Sequence, residues 1–244
     1  MDVAISGDRG SCLTQQLAPG TYLFGVAHGF GQVEGDAIAH VVLARLRSDF
    51  ERRGRGDRLR KAQRRPKAIT HALSSAFGRV NEEIHGRTAS HDDYVTAGCS
   101  LTAALLIDDR AYLAHVGSSA AYLSRDGYVV SLTKNDAFDG STLPVLVRAI
   151  GAAPSLEVSL CTFTLNDGDA LVLAGRRLRE VDERRRLTEC LSVEGLQNAD
   201  QMLVVRYAGA EPSQVCPRAE SHTLRSVLTG VLATMLFYAM LCIR

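Results

Sequence analysis

Between residues 111 and 132 the chain reads AYLAHVGSSAAYLSRDGYVVSL, and apolar side chains recur with a period of two. Tyr112, Ala114 and Val116 alternate with Leu113, His115 and Gly117, which is the pattern of a strand. Gly117, Ser118 and Ser119 interrupt the run, and residues 120–123 resume it. Asp126-Gly127 lies between two apolar runs and predicts a tight hairpin. Upstream, residues 97–107 form an apolar run that ends at Asp108-Asp109 and pairs with residues 111–116 as another hairpin. Four strands joined by short turns predict an antiparallel meander.

The same periodicities place the other elements. Residues 3–6 read as a weak strand followed by a polar turn, and residues 21–27 as an apolar strand. That strand runs into His28-Gly29-Phe30-Gly31-Gln32, after which an amphipathic helix spans about residues 36–52. Ile69, Leu73, Ala76, Phe77, Val80 and Ile84 sit at helical spacing and predict a second helix over residues 68–86. Residues 156–165, 170–174 and 202–207 are further strands, and residues 178–198 are helical. His91-Asp92-Asp93 is a solvated loop, because adjacent loop residues rarely converge on one ion.

Residues 50–67, FERRGRGDRLRKAQRRPK, carry nine basic side chains: Arg52, Arg53, Arg55, Arg58, Arg60, Lys61, Arg64, Arg65 and Lys67. Gly54, Gly56 and Pro66 predict a loop rather than a continued helix. Such a loop suits an anionic surface, with acidic lipid headgroups or an acidic protein as partner. Nucleic acid ranks lower, because no aromatic residues interleave to stack on bases.

Composition adds bounds. The 244 residues suffice for one substantial domain, and 46% hydrophobic against 23% charged content suits an ordinary globular body. A formal net charge of +1 gives no global field favouring nucleic acid. None of the six cysteines forms a C-x-x-C pair, so buried reduced thiols are expected rather than zinc or disulfides. The N-terminus lacks a basic region followed by a long apolar core, so no signal peptide is expected. Residues 226–243, SVLTGVLATMLFYAMLCI, carry no charge, with Arg225 before them and Arg244 after. As a helix this run spans about 27 Å, enough for a bilayer core. It predicts a single-pass tail anchor, with residues 211–225 as linker and the globular body in the cytosol.

The order of elements and glycines over residues 1–208 resembles the metal-dependent protein phosphatases of the type-2C serine/threonine class. The resemblance implies an α+β fold, a four-layer α-β-β-α sandwich of two antiparallel sheets flanked by helices, in a domain over residues 1–210. It also implies where chemistry would sit. The family's Asp-Gly-x-Gly-Gly, whose Asp bridges two metals, corresponds to His28 through Gln32, with Gly29 retained. Its Gly-Asp-Ser-Arg turn corresponds to Gly117, Ser118, Ser119 and Ala120, and its Gly-Thr-Thr to Gly98, Cys99 and Ser100. Its Ser-Asp-Gly metal ligand corresponds to Arg176, and its final Asp-Asn to Asp200-Gln201. Gln15 and Gln16 stand near the N-terminal acidic pair, and Asp8 and Arg9 are present nearby.

The frame is therefore kept while its charges are mostly lost. Asp200 and His28 are the residual metal-ligand positions, and one carboxylate cannot hold two divalent ions. The expectation is a membrane-anchored pseudophosphatase without a metal cofactor, binding a protein partner such as a phosphoprotein or membrane protein. The alternative is a divergent, active metal-dependent serine/threonine phosphatase using Mn or Mg through His28, Glu34, Asp36 and Asp200. A third reading is an anionic lipid or nucleic-acid binder acting through the basic residues.

Overall fold

The computed structural model describes residues 1–6, 11–30, 35–51, 55–88, 98–138, 145–146, 148–176 and 202–208. Two five-stranded antiparallel sheets form its centre. One has the order β1 (Asp2–Ser6), β12 (Met202–Arg206), β11 (Ala170–Ala174), β6 (Ala120–Arg125), β7 (Tyr128–Ser131). The other has the order β10 (Ser159–Thr164), β5 (Arg110–Val116), β4 (Gly98–Ile107), β3 (Thr21–Phe30), β2 (Cys12–Ala18). A short pair, β8 (Ala137–Phe138) and β9 (Val145–Leu146), lies apart.

Period-two alternation divides the side chains of the helix-covered sheet between two cores. Phe24, Val26, Ala104, Leu106 and Leu113 point inward against Leu171, Leu173, Leu203 and Val205 of the facing sheet. Their alternates Leu23, Leu101, Leu105, Tyr112 and Ala114 point outward beneath the helices α1 (Gly35–Glu51) and α3 (Pro66–Thr88). Ile69, Leu73, Ala76, Phe77, Val80 and Ile84 form the buried stripe of α3, as their spacing predicts. β4 is buried at all ten positions, which is why it reads as a continuous apolar run. The expected α+β sandwich of two antiparallel sheets with helices is thus present. The described helices cover one sheet, and the stretch expected to be helical at 178–198 lies outside the described residues.

Three expectations need correction. The four strands do not form one meander, because β5 and β6 belong to different sheets. The turn between them carries the chain across, and Gly117 permits it. Its φ is +100°, and a Cβ there would stand 2.9 Å from the Ser100 Cα. Second, the basic segment is not a loop. It contains α2 (Arg55–Lys61), with Leu59 buried and Ala62 packed on the core, and Pro66 opens α3. Proline fits a first helical turn, whose N–H groups have no intrahelical acceptor. Third, residues 12–18 are not a polar turn. They form edge strand β2, which holds Gln15 and Gln16 in register with Leu23 and Tyr22.

Contacts divide the chain into two compact units, residues 1–213 and 214–244. The second unit lies outside the described residues, as do the whole expected linker over 211–225 and the whole expected anchor over 226–243. No helix among the described residues is long and apolar enough to cross a membrane.

Buried ion pairs hold the crossover and the hairpins. The buried Asp136 carboxylate accepts from the Gly117 N–H at 2.9 Å and from Arg148 Nη2. Arg148 also donates to Ser159 Oγ at 3.1 Å. Asp136→Ala removes the acceptor of the Gly117 N–H and the buried carboxylate facing Arg148, and urea denaturation should show a loss of about 3 kcal/mol. At the other end, Arg125 grips the buried Asp169 through Nε at 2.9 Å and Nη2 at 2.6 Å. Burial pushes the Asp169 carboxyl up, but hydrogen bonds from Arg125 and the Asn166 N–H outweigh this and hold it below the usual range. The depressed value makes this contribution complete above about pH 4 and lost as pH falls through the lower folded value. Asp169→Asn should therefore lower stability at pH 7 and flatten its acid dependence, read as the denaturation midpoint between pH 7 and pH 3.

Candidate functional site

Four chain segments meet where the inner strands end. The register of β3 with β4 sets His28 opposite Ser100 and Gly29 opposite Cys99. The crossover turn supplies Ser118 and Ser119. On the facing sheet Ala174 pairs with Ala120, and Arg176 follows two residues beyond the end of β11.

Hydrogen bonds close these positions into one arrangement. Arg176 Nε donates to His28 Nε2 at 3.0 Å, joining residues from different sheets. Ser100 Oγ and Ser118 Oγ are 3.1 Å apart, and the Ser118 N–H donates to Ser100 Oγ at 3.0 Å. Beneath lies a buried relay. Ser119 Oγ is 2.7 Å from Thr102 Oγ1, which is 2.9 Å from His115 Nδ1. His115 Nε2 donates to the Lys134 carbonyl at 2.9 Å and stands 4.0 Å from the Asp136 carboxylate. Burial pushes the Cys99 thiol far above its ordinary range, with a hydrogen bond from the His28 backbone only partly offsetting it. Cys99 is therefore a packed thiol, not a nucleophile.

Of the positions singled out in the sequence, His28, Gly29, Ser118 and Arg176 come together here. Asp8, Arg9, Gln32, Glu34, His91, Asp92, Asp93, Asp200 and Gln201 lie outside the described residues, as does the Asp36 side chain. Gln15 and Gln16 sit on β2 instead, where Gln16 Nε2 donates to the Tyr22 hydroxyl at 3.3 Å. Arg58, Arg60, Lys61, Arg64, Arg65 and Lys67 are exposed on and after α2, while Arg52 and Arg53 and the side chain of Arg55 are outside the description. Sequence reading missed Thr102, His115, Asp136 and Arg148. For Thr102 and His115 the available signal was a polar residue inside an otherwise apolar strand, while Asp136 and Arg148 lie outside the strands.

This donor set does not suit a pair of divalent cations. Magnesium and manganese take oxygen ligands, carboxylates above all. The described positions offer one imidazole nitrogen, already accepting from a guanidinium, and a permanent positive charge. At an effective dielectric near 20, a cation about 4 Å from that charge meets repulsion of roughly 4 kcal/mol per unit charge. No group of three or more His, Cys, Asp or Glu side chains suited to a metal occurs among the described residues. Hydroxyls and a guanidinium suit an oxyanion better.

The profile of the family described as Protein phosphatase 2C matches residues 15–137. The chain belongs to this family. The serine/threonine protein phosphatase PstP of Mycobacterium tuberculosis is 25% identical over 214 residues, covering 80% of this chain. The chain spans about 39% of that relative's length. The S. agalactiae serine/threonine phosphatase superposes with a TM-score of 0.66 at 20% identity, covering 84% of this chain and 99% of that one. The PstP catalytic domain solved with two manganese ions superposes with a TM-score of 0.59 at 22% identity, covering 83% and 96%. These likenesses establish the phosphatase 2C fold.

A donor at Nε2 requires that nitrogen to be unprotonated. Nitrogen-15 NMR of the phosphatase 2C-type domain at pH 7 should find His28 neutral with its proton on Nδ1, and Arg176→Gln should change its Nε2 shift.

Proposed function

We propose that this protein is a membrane-tethered pseudophosphatase, a type-2C phosphatase fold that binds a phosphorylated protein without hydrolysing it. The observation that carries this reading is the Arg176 Nε to His28 Nε2 hydrogen bond, 3.0 Å long. It sets a permanent cation at a position where family resemblance implies a metal carboxylate. A family phosphatase needs two metals to activate water and neutralise phosphate. Arg176 supplies the second service and not the first. Its guanidinium is planar and keeps donors beyond the one that faces His28, matching two phosphate oxygens. Ser118, bonded to Ser100 opposite His28, adds a hydroxyl. No metal cofactor is needed for binding of this kind.

The apolar stretch over residues 226–243 supports a single-pass tail anchor, with the globular unit in the cytoplasm and a phosphoprotein or membrane protein as partner. The second reading is a divergent metal-dependent serine/threonine phosphatase, favoured by the likeness to PstP. Glu34, Asp36 and Asp200 would then complete a site with His28.

Calorimetry with a phosphothreonine peptide, and with the same peptide unphosphorylated, separates these readings. Binding should require the phosphate, persist in EDTA and weaken about 10- to 100-fold in Arg176→Gln, the range for a charge-assisted hydrogen bond. Phosphate release that depends on added Mn or Mg would establish the second reading instead.

A further inference from the structure

The basic residues of α2 lie at the opposite end of the molecule from His28 and Arg176. α2 packs against β2, β3 and α1, and Arg60 Nη1 reaches the Pro19 carbonyl beside the β2–β3 turn. β3 starts at Thr21 beside that turn and passes His28 seven residues later, about 24 Å along a strand. This charge therefore does not act at the phosphoryl-type site.

The segment is also built rather than free. Leu59 is buried, and Ala62, three residues on, packs on the same core, so one helical face is anchored. Arg58, Arg60 and Lys61 point from the other faces, and Arg64, Arg65 and Lys67 continue the charge into the first turn of α3. All six are exposed, and none is ion-paired with a described acidic residue. From Arg58 to Lys67 there is no acidic residue and no aromatic one. Asp57, on the first turn of α2, is the nearest acid in sequence. The hairpin tips carry exposed Asp108, Asp109, Asp126 and Asp167. The Asp108-Asp109 tip borders the same β2–β3 turn as Arg60, with the Asp108 N–H donating to the Gly20 carbonyl at 2.7 Å, so the basic face is the helix layer beside that tip rather than the tip itself.

We propose that α2 and the start of α3 form a docking face for an anionic lipid surface. Six basic side chains spread over a convex helix and turn suit a plane of headgroups. Nucleic acid is the weaker fit, since aromatic stacking platforms are missing here. The uncharged run over residues 226–243 would supply the second attachment that stable membrane binding needs. The proposal is independent of whether the other end hydrolyses phosphate.

Amide hydrogen exchange on the full chain tests it. The chain is mixed with vesicles of phosphatidylcholine alone, or with 30% phosphatidylglycerol. Exchange over residues 55–67 should slow at least about fivefold with the anionic vesicles, and 0.5 M NaCl should remove the effect. A variant combining Arg58→Gln, Lys61→Gln, Arg64→Gln and Arg65→Gln keeps Leu59 and Ala62. It should lose the slowing while β4 amides stay as protected as before. Equal exchange with both vesicles, or slowing that survives in the variant, would overturn the proposal. So would stronger protection of the same amides by single-stranded DNA at matched charge.

Discussion

The architecture depends on one crossing point. The chain leaves the helix-covered sheet at Val116 and enters the facing sheet at Ala120, with only three residues between. A turn this short between stacked layers needs a residue without a Cβ, and its freed backbone groups need partners. Gly117 meets the first need. Asp136 meets the second, its carboxylate taking the Gly117 N–H and its own N–H donating to the Gly117 carbonyl at 3.1 Å. Arg148 neutralises the carboxylate, so the charge stays buried at acceptable cost. Because the crossing is fixed, Ser118 stands beside Ser100 and Arg176 reaches His28 from the other sheet.

The same geometry explains how a fold built around cations can hold a cation of its own. The strand ends converge whatever side chains they carry, because convergence is set by register and packing. In this chain the converging positions bear an imidazole, hydroxyls and a guanidinium. Among the described residues, the Arg176 guanidinium bonds to His28 from the other sheet and carries a positive charge there. It has no open coordination position and cannot lower the pKa of a bound water. Structure and chemistry are thereby separable, as fold and function generally are.

Much of the fold was legible because its signals are local. β11 lies where its apolar run predicts, and α1 and α3 lie within about two residues of their amphipathic stripes. Sheet membership was not legible. A glycine turn reads alike whether it returns to its own sheet or crosses to the next, and the difference lies in Ser100, far away in sequence. Gly54, Gly56 and Pro66 read as breakers, yet Leu59 and Ala62 pin a helix among them and Pro66 begins the next. β2 was missed because its CLTQQLA pattern lacks clean alternation, as befits an edge strand half-covered by neighbours. At the site, the pairing of Arg176 with His28 is a contact across 148 residues that no local pattern encodes.

The central claim is that the family's paired-cation chemistry has been exchanged for a protein-borne charge. Titration of the full chain with Mn by calorimetry, followed by phosphatase assay of the same sample, tests it most directly. The account predicts no saturable heat and no turnover. Two tight manganese sites with metal-dependent turnover would contradict it, and would show that side chains other than His28 and Arg176 carry the ions.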